Sequence, residues 1–342
     1  MSEIRWPGLI DPHVHLREPG ATQKEDFATG SRAALAGGVT FMIDMPNNVE
    51  PCVTIARLDE KIRLADQKAT CDIGFHYGTD GQNVETFAAA AANPRVFGLK
   101  VYLNHTTGEM LIEDIAVLER IFASWPAESG KPIMVHAEGV QLAAATALAH
   151  LNNQRLHVCH ISQEIEVTLV RKAKAAGQPI TAGVCPHHLF LTGSARETHG
   201  SHAVMKPPLG EESDKTALWE GLSDRTIDVV ETDHAPHTAA EKEANPPPFG
   251  VPGLETSLGL MLSAVKDGKL TLDDVKRLMY EMPTKIFNIP TQSETYIEFD
   301  PGQAYQIQPP FESKAQWSPF IGMTAYGQVQ TVVLHGKTVI GG

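Results

Sequence analysis

Gly8-Leu-Ile-Asp-Pro-His-Val-His-Leu-Arg-Glu-Pro-Gly20 decides how the rest of the chain is read. It opens as a short apolar run and ends in turn residues, the pattern of a buried strand leading into a loop. His13 and His15 are two apart, so on a strand both imidazoles leave the same face. At the strand's end they could share one metal ion or one side of a metal pair. Arg17 continues that face and sets a positive fork beside them. Alone, a His-x-His pair is as easily two surface histidines next to a turn. The other strands have to settle it.

Working outward, strand-like and helix-like stretches alternate, as parallel βα units do. Glu25 to Ala36 reads as a helix stopped by Gly37-Gly38, and Val39 to Met45 as a strand ending in Pro46-Asn47-Asn48. Ile55 to Lys68 is helical, Cys71 to Tyr77 a strand, and Phe87 to Ala92 a helix. Phe97 to Leu103 is a strand with Lys100 in its middle, followed by a helix over Ile112 to Ala123. Pro132 to Ala137 is a strand bearing His136, and Leu156 to Ile161 another bearing His160, with a helix over Val140 to Leu151 between them. A helix over Glu164 to Ala176 precedes the strand Pro179 to Val184, which runs into a long Pro186-His187-His188 loop. Ile227 to Thr232 is the last barrel strand and ends in Asp233-His234-Ala-Pro-His237; Gly253 to Val265 and Leu272 to Asn288 are helical. Eight such repeats with no linker between halves predict a (β/α)8 barrel over 1–290. From about Thr295 the runs become short and β-like, which predicts a small β appendage over 291–342.

Composition narrows the function. The chain has 342 residues, 42% hydrophobic and 20% charged, ordinary for a globular protein with a large core. A net charge of −13 argues against a nucleic-acid or anionic-membrane surface, but not against a small acidic substrate held locally. Cys52, Cys71, Cys159 and Cys185 are scattered, so they suit a reducing compartment better than a disulfide framework. The first strand starts within a few residues of Met1, and no apolar run reaches spanning length. The expectation is a soluble, cytoplasmic protein without a signal peptide.

In such barrels chemistry collects at the C-terminal strand ends. His13, His15, Asn47, Lys100, His136, His160 and Asp233 all fall there. Each has an ordinary reading singly, since buried polar groups usually just find hydrogen bonds. Jointly they do not. A lysine inside an apolar strand must neutralise, pair or be chemically changed. Reaction of Lys100 with carbon dioxide would give a carbamate whose two oxygens can bridge two metals. With His13, His15, His136, His160 and Asp233 it would complete a binuclear site, suited to Zn²⁺ without excluding Mn²⁺, Fe²⁺ or Co²⁺. Two such ions activate water and polarise a carbonyl. Asp233 could move the proton, while Arg17 and Asn47 meet a substrate carboxylate. The residues alone suggest metal-assisted hydrolysis, or its reverse, at a C–N bond of a small anion.

These motifs resemble the amidohydrolase superfamily, and within it the dihydroorotases, especially the dihydroorotase domain of animal multifunctional pyrimidine-synthesis proteins. The matching stretches are Asp11 to Gly20, Met45-Pro-Asn47, Gly98 to Asn104, His136-Ala-Glu138, Cys159-His160, Pro186 to Leu191, Asp233 to His237 and Pro252-Gly-Leu-Glu255. The resemblance implies an amidohydrolase-type TIM barrel with two Zn²⁺ bridged by N6-carboxylysine at Lys100. It implies reversible conversion of N-carbamoyl-L-aspartate to (S)-dihydroorotate and water. By it His13, His15, Lys100, His136, His160 and Asp233 are metal ligands, with Asp233 also the acid/base. Arg17, Asn47, His237, Lys206, Pro252 and Gly253 are implied substrate contacts. Thr106 would be a catalytic residue on a mobile loop, Asn104 to Gly108. Homodimerisation and association with aspartate transcarbamoylase are compatible with it.

Departures from the family pattern are visible. Thr107 stands where the animal domains carry an aromatic, and Lys206 where Arg or Asn is common. Cys159 precedes a ligand histidine as in domains with an extra zinc, but Gly183 replaces their acid, so no third metal is expected. His187 and His188 are read as groups orienting the ligands, and His76 has no motif behind it. His150, His199, His202 and His335 are expected to face solvent. Two alternatives remain: another cyclic amidase, such as an allantoinase or dihydropyrimidinase, or an inactive scaffold. Arg17 and its Glu-Pro-Gly continuation argue against the first; a full set of ligand positions argues against the second.

Overall fold

A computed structural model describes residues 3–106 and 110–341. After a short strand β1 (Ile4–Pro7), eight parallel strands follow in spatial as well as chain order. They are β2 (Leu9–Val14), β3 (Val39–Asp44), β4 (Asp72–Gly78), β5 (Val96–Tyr102), β6 (Ile133–His136), β7 (Leu156–Val158), β8 (Ile180–Val184) and β9 (Val229–Val230). Nearly every residue of these strands is buried, as expected when helices cover a sheet that curls onto itself. The ring is drawn shut between β9 and β2. A single bridge, Val14 to His234, lies there, with His15 N–H donating to His234 O at 2.8 Å. Below it the Asp11 carboxylate accepts from Thr232 Oγ1 at 2.5 Å, Thr232 N at 3.3 Å and His13 N at 3.1 Å.

Two strands stop earlier than the sequence suggests. Beyond β7, His160 has φ 36°, and beyond β9, Asp233 has φ 47°. A left-handed residue cannot continue a ladder, so the chain turns out of the sheet there. Helix starts shift for a different reason. The first outer helix begins at Phe27 because Asp26 accepts from Thr29 N at 2.8 Å in a capping box. Asp114 likewise caps Ile115–Ser124, accepting from Ala116 N at 2.7 Å. The helix expected over Leu272 to Asn288 contains a π turn at Arg277–Glu281, just before Pro283, whose ring supplies no N–H for the regular ladder. The segment after β8, read as a long loop, holds a short helix Pro186–Phe190 and an outer helix Glu212–Ser223.

The C-terminal appendage is present as β10 (Tyr296–Phe299), β11 (Ala304–Gln306), β12 (Thr324–Tyr326), β13 (Val329–Leu334) and β14 (Lys337–Ile340). Its main sheet runs β1-β10-β13-β14, antiparallel throughout. The chain therefore does not enter the barrel directly. Ile4 to Pro7 pair with Phe299 to Tyr296, and Trp6 packs edge-on against Phe299 at 5.0 Å.

Under the mouth of the barrel, Lys61 and Asp44 form a buried ion pair at 2.8 Å, each side chain 1% exposed. Lys61 also donates to Met45 O and to Asn48 Oδ1, and Asp44 accepts from Leu16 N at 2.8 Å. The pair thus pins the loop after β3 to the segment between His15 and Arg17. Replacing Lys61 with Met strands the carboxylate and is expected to cost about 3–5 kcal/mol. Asp44→Asn in the same chain removes that stranded charge while keeping an acceptor for Leu16 N–H, and should recover part of the loss. Urea midpoints of the single and double variants check both expectations.

Candidate metal centre and active site

The strand ends deliver their side chains to one place. His13 comes from β2, and the loop beyond that strand adds His15. Lys100 comes from β5 and His136 from β6, with His160 just past β7 and Asp233 just past β9. All six are buried. His15 Nε2 stands 2.9 Å and His13 Nε2 3.3 Å from Asp233 Oδ1. On the other side His136 Nδ1 faces His160 Nε2 at 3.1 Å, and His13 links the halves with its ring 5.0 Å from that of His160.

The donor chemistry fits a cation. His15 Nδ1–H donates to Asn47 Oδ1 at 2.7 Å, so its Nε2 lone pair points at the Asp233 carboxylate. Two acceptors at that distance need a proton or a metal between them. His136 Nε2 and His160 Nδ1 are buried without partners. His13, His15 and Asp233 offer donor atoms within 4.8 Å of one another. Burial alone would raise Asp233, but positive charge shared with the imidazoles of His13 and His15, as a proton or a bound cation, reverses the sign and keeps it ionised. Strain supports a built site. Arg17, His160 and Asp233 all sit at positive φ, which costs about 1–3 kcal/mol each and persists where the surroundings impose it.

Lys100 is fully buried, and its Nζ donates to Cys159 Sγ at 3.1 Å, 5.0 Å from the Tyr102 ring centre. Among the described residues no carboxylate lies within ion-pair distance of it. Glu231 is a group the sequence reading missed. Its carboxylate accepts from His160 N at 2.6 Å and lies 3.5 Å from His13 Nδ1 and 3.4 Å from His157 Nε2. It fills the space over Gly183, where a Cβ would come within 2.5 Å of it. The acid absent at position 183 is thus supplied from β9's end, and His13, Cys159 and Glu231 form a second donor cluster within 4.8 Å. The signal was legible: Glu231 is a carboxylate inside the apolar run that leads to Asp233, an unusual place for an unpaired charge.

Beside the centre lies a small cavity lined by His15, Arg17, Asn47, Thr106, Lys206 and Asp233, with Ala235, Phe249 and Gly250. Thr107 and Gly108, the rest of the expected loop, lie outside the described residues. Arg17 is held by Nε donating to Pro236 O at 3.1 Å. His237 donates from Nε2 to Phe249 O at 2.8 Å and accepts from Lys24 at Nδ1, its ring 3.2 Å from Arg17 Nη2. His237 therefore backs Arg17 and does not itself line the cavity. Pro252 and Gly253 also lie elsewhere, lining a cleft behind His234, whose Nδ1 accepts from Gly253 N at 3.1 Å. His76 donates to Pro12 O at 2.9 Å inside the barrel, and His202 packs against Trp317 at 4.5 Å instead of facing free solvent. The larger clefts, one against the C-terminal strands and one at the opposite barrel end, hold none of these groups.

A parallel barrel with a metal-competent cluster at its strand ends defines a hydrolase of the metal-assisted class. The chain belongs to the amidohydrolase family, whose sequence model matches residues 4–339. It is 42% identical over 338 residues to the multifunctional protein CAD of Squalus acanthias, covering 98% of this chain and 15% of that protein. It is 33% identical over 381 residues to a dihydroorotase of Pediococcus pentosaceus, covering 99% of this chain and 88% of that one. Among solved structures, the L-hydantoinase (dihydropyrimidinase) of Arthrobacter aurescens superposes with TM-score 0.92 at 25% identity, over 99% and 86% of the two chains. The inactive dihydroorotase-like domain of a Chaetomium thermophilum CAD-like multifunctional protein gives 0.84 at 27% identity, over 100% and 96%.

The centre also sets a pH dependence. In metal-free protein burial depresses His15 to about 4, and burial with the nearby Lys100 depresses His136 to about 3. The unfolded chain keeps its imidazoles near the ordinary value of about 6.5. Between those limits the unfolded state binds protons that the folded state refuses, so stability is lost as pH falls from about 7 towards 4. Each group contributes roughly 1.4 kcal/mol per pH unit there, and none above about pH 7.5. Urea midpoints measured with a chelator at pH 7.5, 6 and 5 should fall steadily; a flat profile would contradict neutral, buried imidazoles.

Proposed function

We propose that this chain is a dihydroorotase, interconverting N-carbamoyl-L-aspartate and (S)-dihydroorotate. The observation that carries the reading is one cavity whose lining brings together the His15–Asp233 pair and Arg17. His13, His15, Lys100 as a carbamate, His136, His160 and Asp233 would hold two divalent ions of the zinc class. When bound, such ions activate water at neutral pH and polarise the scissile carbonyl. Asp233, ionised and at the centre, takes the proton of the attacking water and delivers it to the ring nitrogen as the C–N bond breaks; ring closure runs the same transfer backwards. Arg17, fixed by Pro236 and backed by His237, keeps its fork for the substrate carboxylate. Thr106 and Lys206 line the same cavity.

Association with aspartate transcarbamoylase and homodimerisation belong to the same reading, the first in keeping with the likeness to a multifunctional protein, and four buried free cysteines suit the cytoplasm. No helix among the described residues is long and apolar enough to cross a membrane. The chain would divide into a barrel over 1–290 and an extension over 291–342, with β1 lent to the extension's sheet.

A hydantoinase-like substrate is the competing reading, given the structural likeness, but a ring without a carboxylate leaves Arg17 unused. Likeness to an inactive domain raises the scaffold reading, which six filled ligand positions oppose. Loss of ring absorbance from dihydroorotate, followed with and without chelator, decides among them. Chelator-sensitive turnover is expected, with none on allantoin or dihydrouracil. Asp233→Asn should lower kcat by at least about a hundredfold in both directions, as loss of acid–base catalysis does. Lys100→Ala should lose both metal and activity, and full metal content in that variant would remove the carbamate bridge.

A further inference from the structure

Just beyond β8 the chain brings a thiol and two imidazoles together outside the centre described above. Cys185, His187 and His188 are 0%, 2% and 3% exposed, and each offers a donor atom within 4.8 Å of the others. Proximity alone would carry little, because the helix Pro186–Phe190 places neighbouring residues close by construction of its first turn. The bonding state of the two rings says more. His188 donates Nε2–H to Pro207 O at 3.1 Å, which fixes its tautomer and leaves Nδ1 as a lone pair. That Nδ1 is buried and has no partner; the same holds for Nε2 of His187. The rings lie 4.4 Å apart. Leaving a buried polar atom unmet is costly, and here two stand side by side with a thiol. An imidazole anchored through one nitrogen to a backbone carbonyl, its other lone pair bare, is how metal-binding histidines are generally held.

We propose that Cys185, His187 and His188 form a separate metal site for one divalent ion of the zinc class, with water in the fourth position. A thiolate and two imidazoles form a ligand set typical of zinc, and magnesium or calcium would reject it. Binding exchanges the thiol proton for the metal: the S–H bond breaks, a metal–sulfur bond forms, and one proton leaves to solvent without redox change. None of these three side chains is among the ligands proposed for the catalytic centre, although His187 stands near enough to Asp233 and His13 to feel their charge. Through Pro207 the ion would tie the helix after β8 to the neighbouring Lys206, and so brace one wall of the cavity.

The test uses full-length protein reconstituted with Co²⁺, whose thiolate complexes absorb in the near ultraviolet through sulfur-to-metal charge transfer. Wild type should show that band, Cys185→Ser should lose it, and Cys159→Ser should keep it. Elemental analysis should show one ion fewer per chain in Cys185→Ser than in wild type. His188→Asn gives the same reading if Cys185→Ser fails to fold: one ion fewer, with the band lost or displaced. A wild type without the band overturns the proposal. So does a band that disappears only with Cys159→Ser, which would put the sulfur-bound ion between His13, Cys159 and Glu231.

Discussion

The carboxylate of Asp11 holds the seam on which this molecule depends. Barrel ladders usually close by backbone pairing, but β9 contributes two residues and meets β2 through one bridge. Asp11 replaces the missing rungs with a side chain, gathering Thr232 Oγ1, Thr232 N and His13 N around one buried group. The proton balance of that group is unusual: burial pushes it up to about 7 against three donors that oppose the rise. The strands on either side of the seam carry His13 and His15 on one and Glu231 and Asp233 on the other. The site therefore lies where regular structure runs out. Freed from the ladder, the chain can place Asp233 in a left-handed conformation and turn its carboxylate inward.

Much of this was legible in the sequence, and the limits have physical causes. The parallel barrel was written in alternating apolar runs and helical stretches, and the six candidate ligands fell at strand ends because a period of two fixes the face of each side chain. Strand ends were overcalled at Ile161 and Thr232, since apolar character says nothing of backbone twist at His160 and Asp233. Helix starts were set by Asp26 and Asp114, whose caps are local and visible but compete with apolar periodicity. The Glu212–Ser223 helix was lost in a charged stretch with only one apolar face. Site residues carried by motif were split by the structure. Arg17, Asn47, Thr106 and Lys206 line the cavity, while His237 backs Arg17 and Pro252 and Gly253 line a separate cleft by His234. Contiguity in sequence does not distinguish a group that faces the cavity from one that backs it.

The polar interior is arranged in tiers. At the mouth sit the imidazoles and Asp233; beneath them Glu231 and His157 meet one another and Glu231 accepts from His160 N, while His76 reaches Pro12 O through Nε2 alone. Around the rim, buried amines act as clamps. Lys61 gathers Asp44, Met45 O and Asn48, and Lys242 gathers the carbonyls of Val204, Pro248 and Gly250. Each clamp sits behind a loop that reaches the cavity: Asn47 in one case, Phe249 and Gly250 in the other. Buried ammonium groups are costly unless fully bonded, so these loops are held in single conformations by penalties as much as by attractions.

The pairing of β1 with β10 has a consequence for taking the molecule apart. Ile4 to Pro7 form an outer strand of the C-terminal sheet, although they come before every barrel strand. Trimming the polypeptide after residue 290 would not release an independent barrel. It would leave an orphaned N-terminal strand, with Trp6 stripped of Phe299 and a row of unmet amides open to other chains. The first few residues and the last fifty form one fastening, and a recombinant fragment that omits either should be handled as an aggregation hazard.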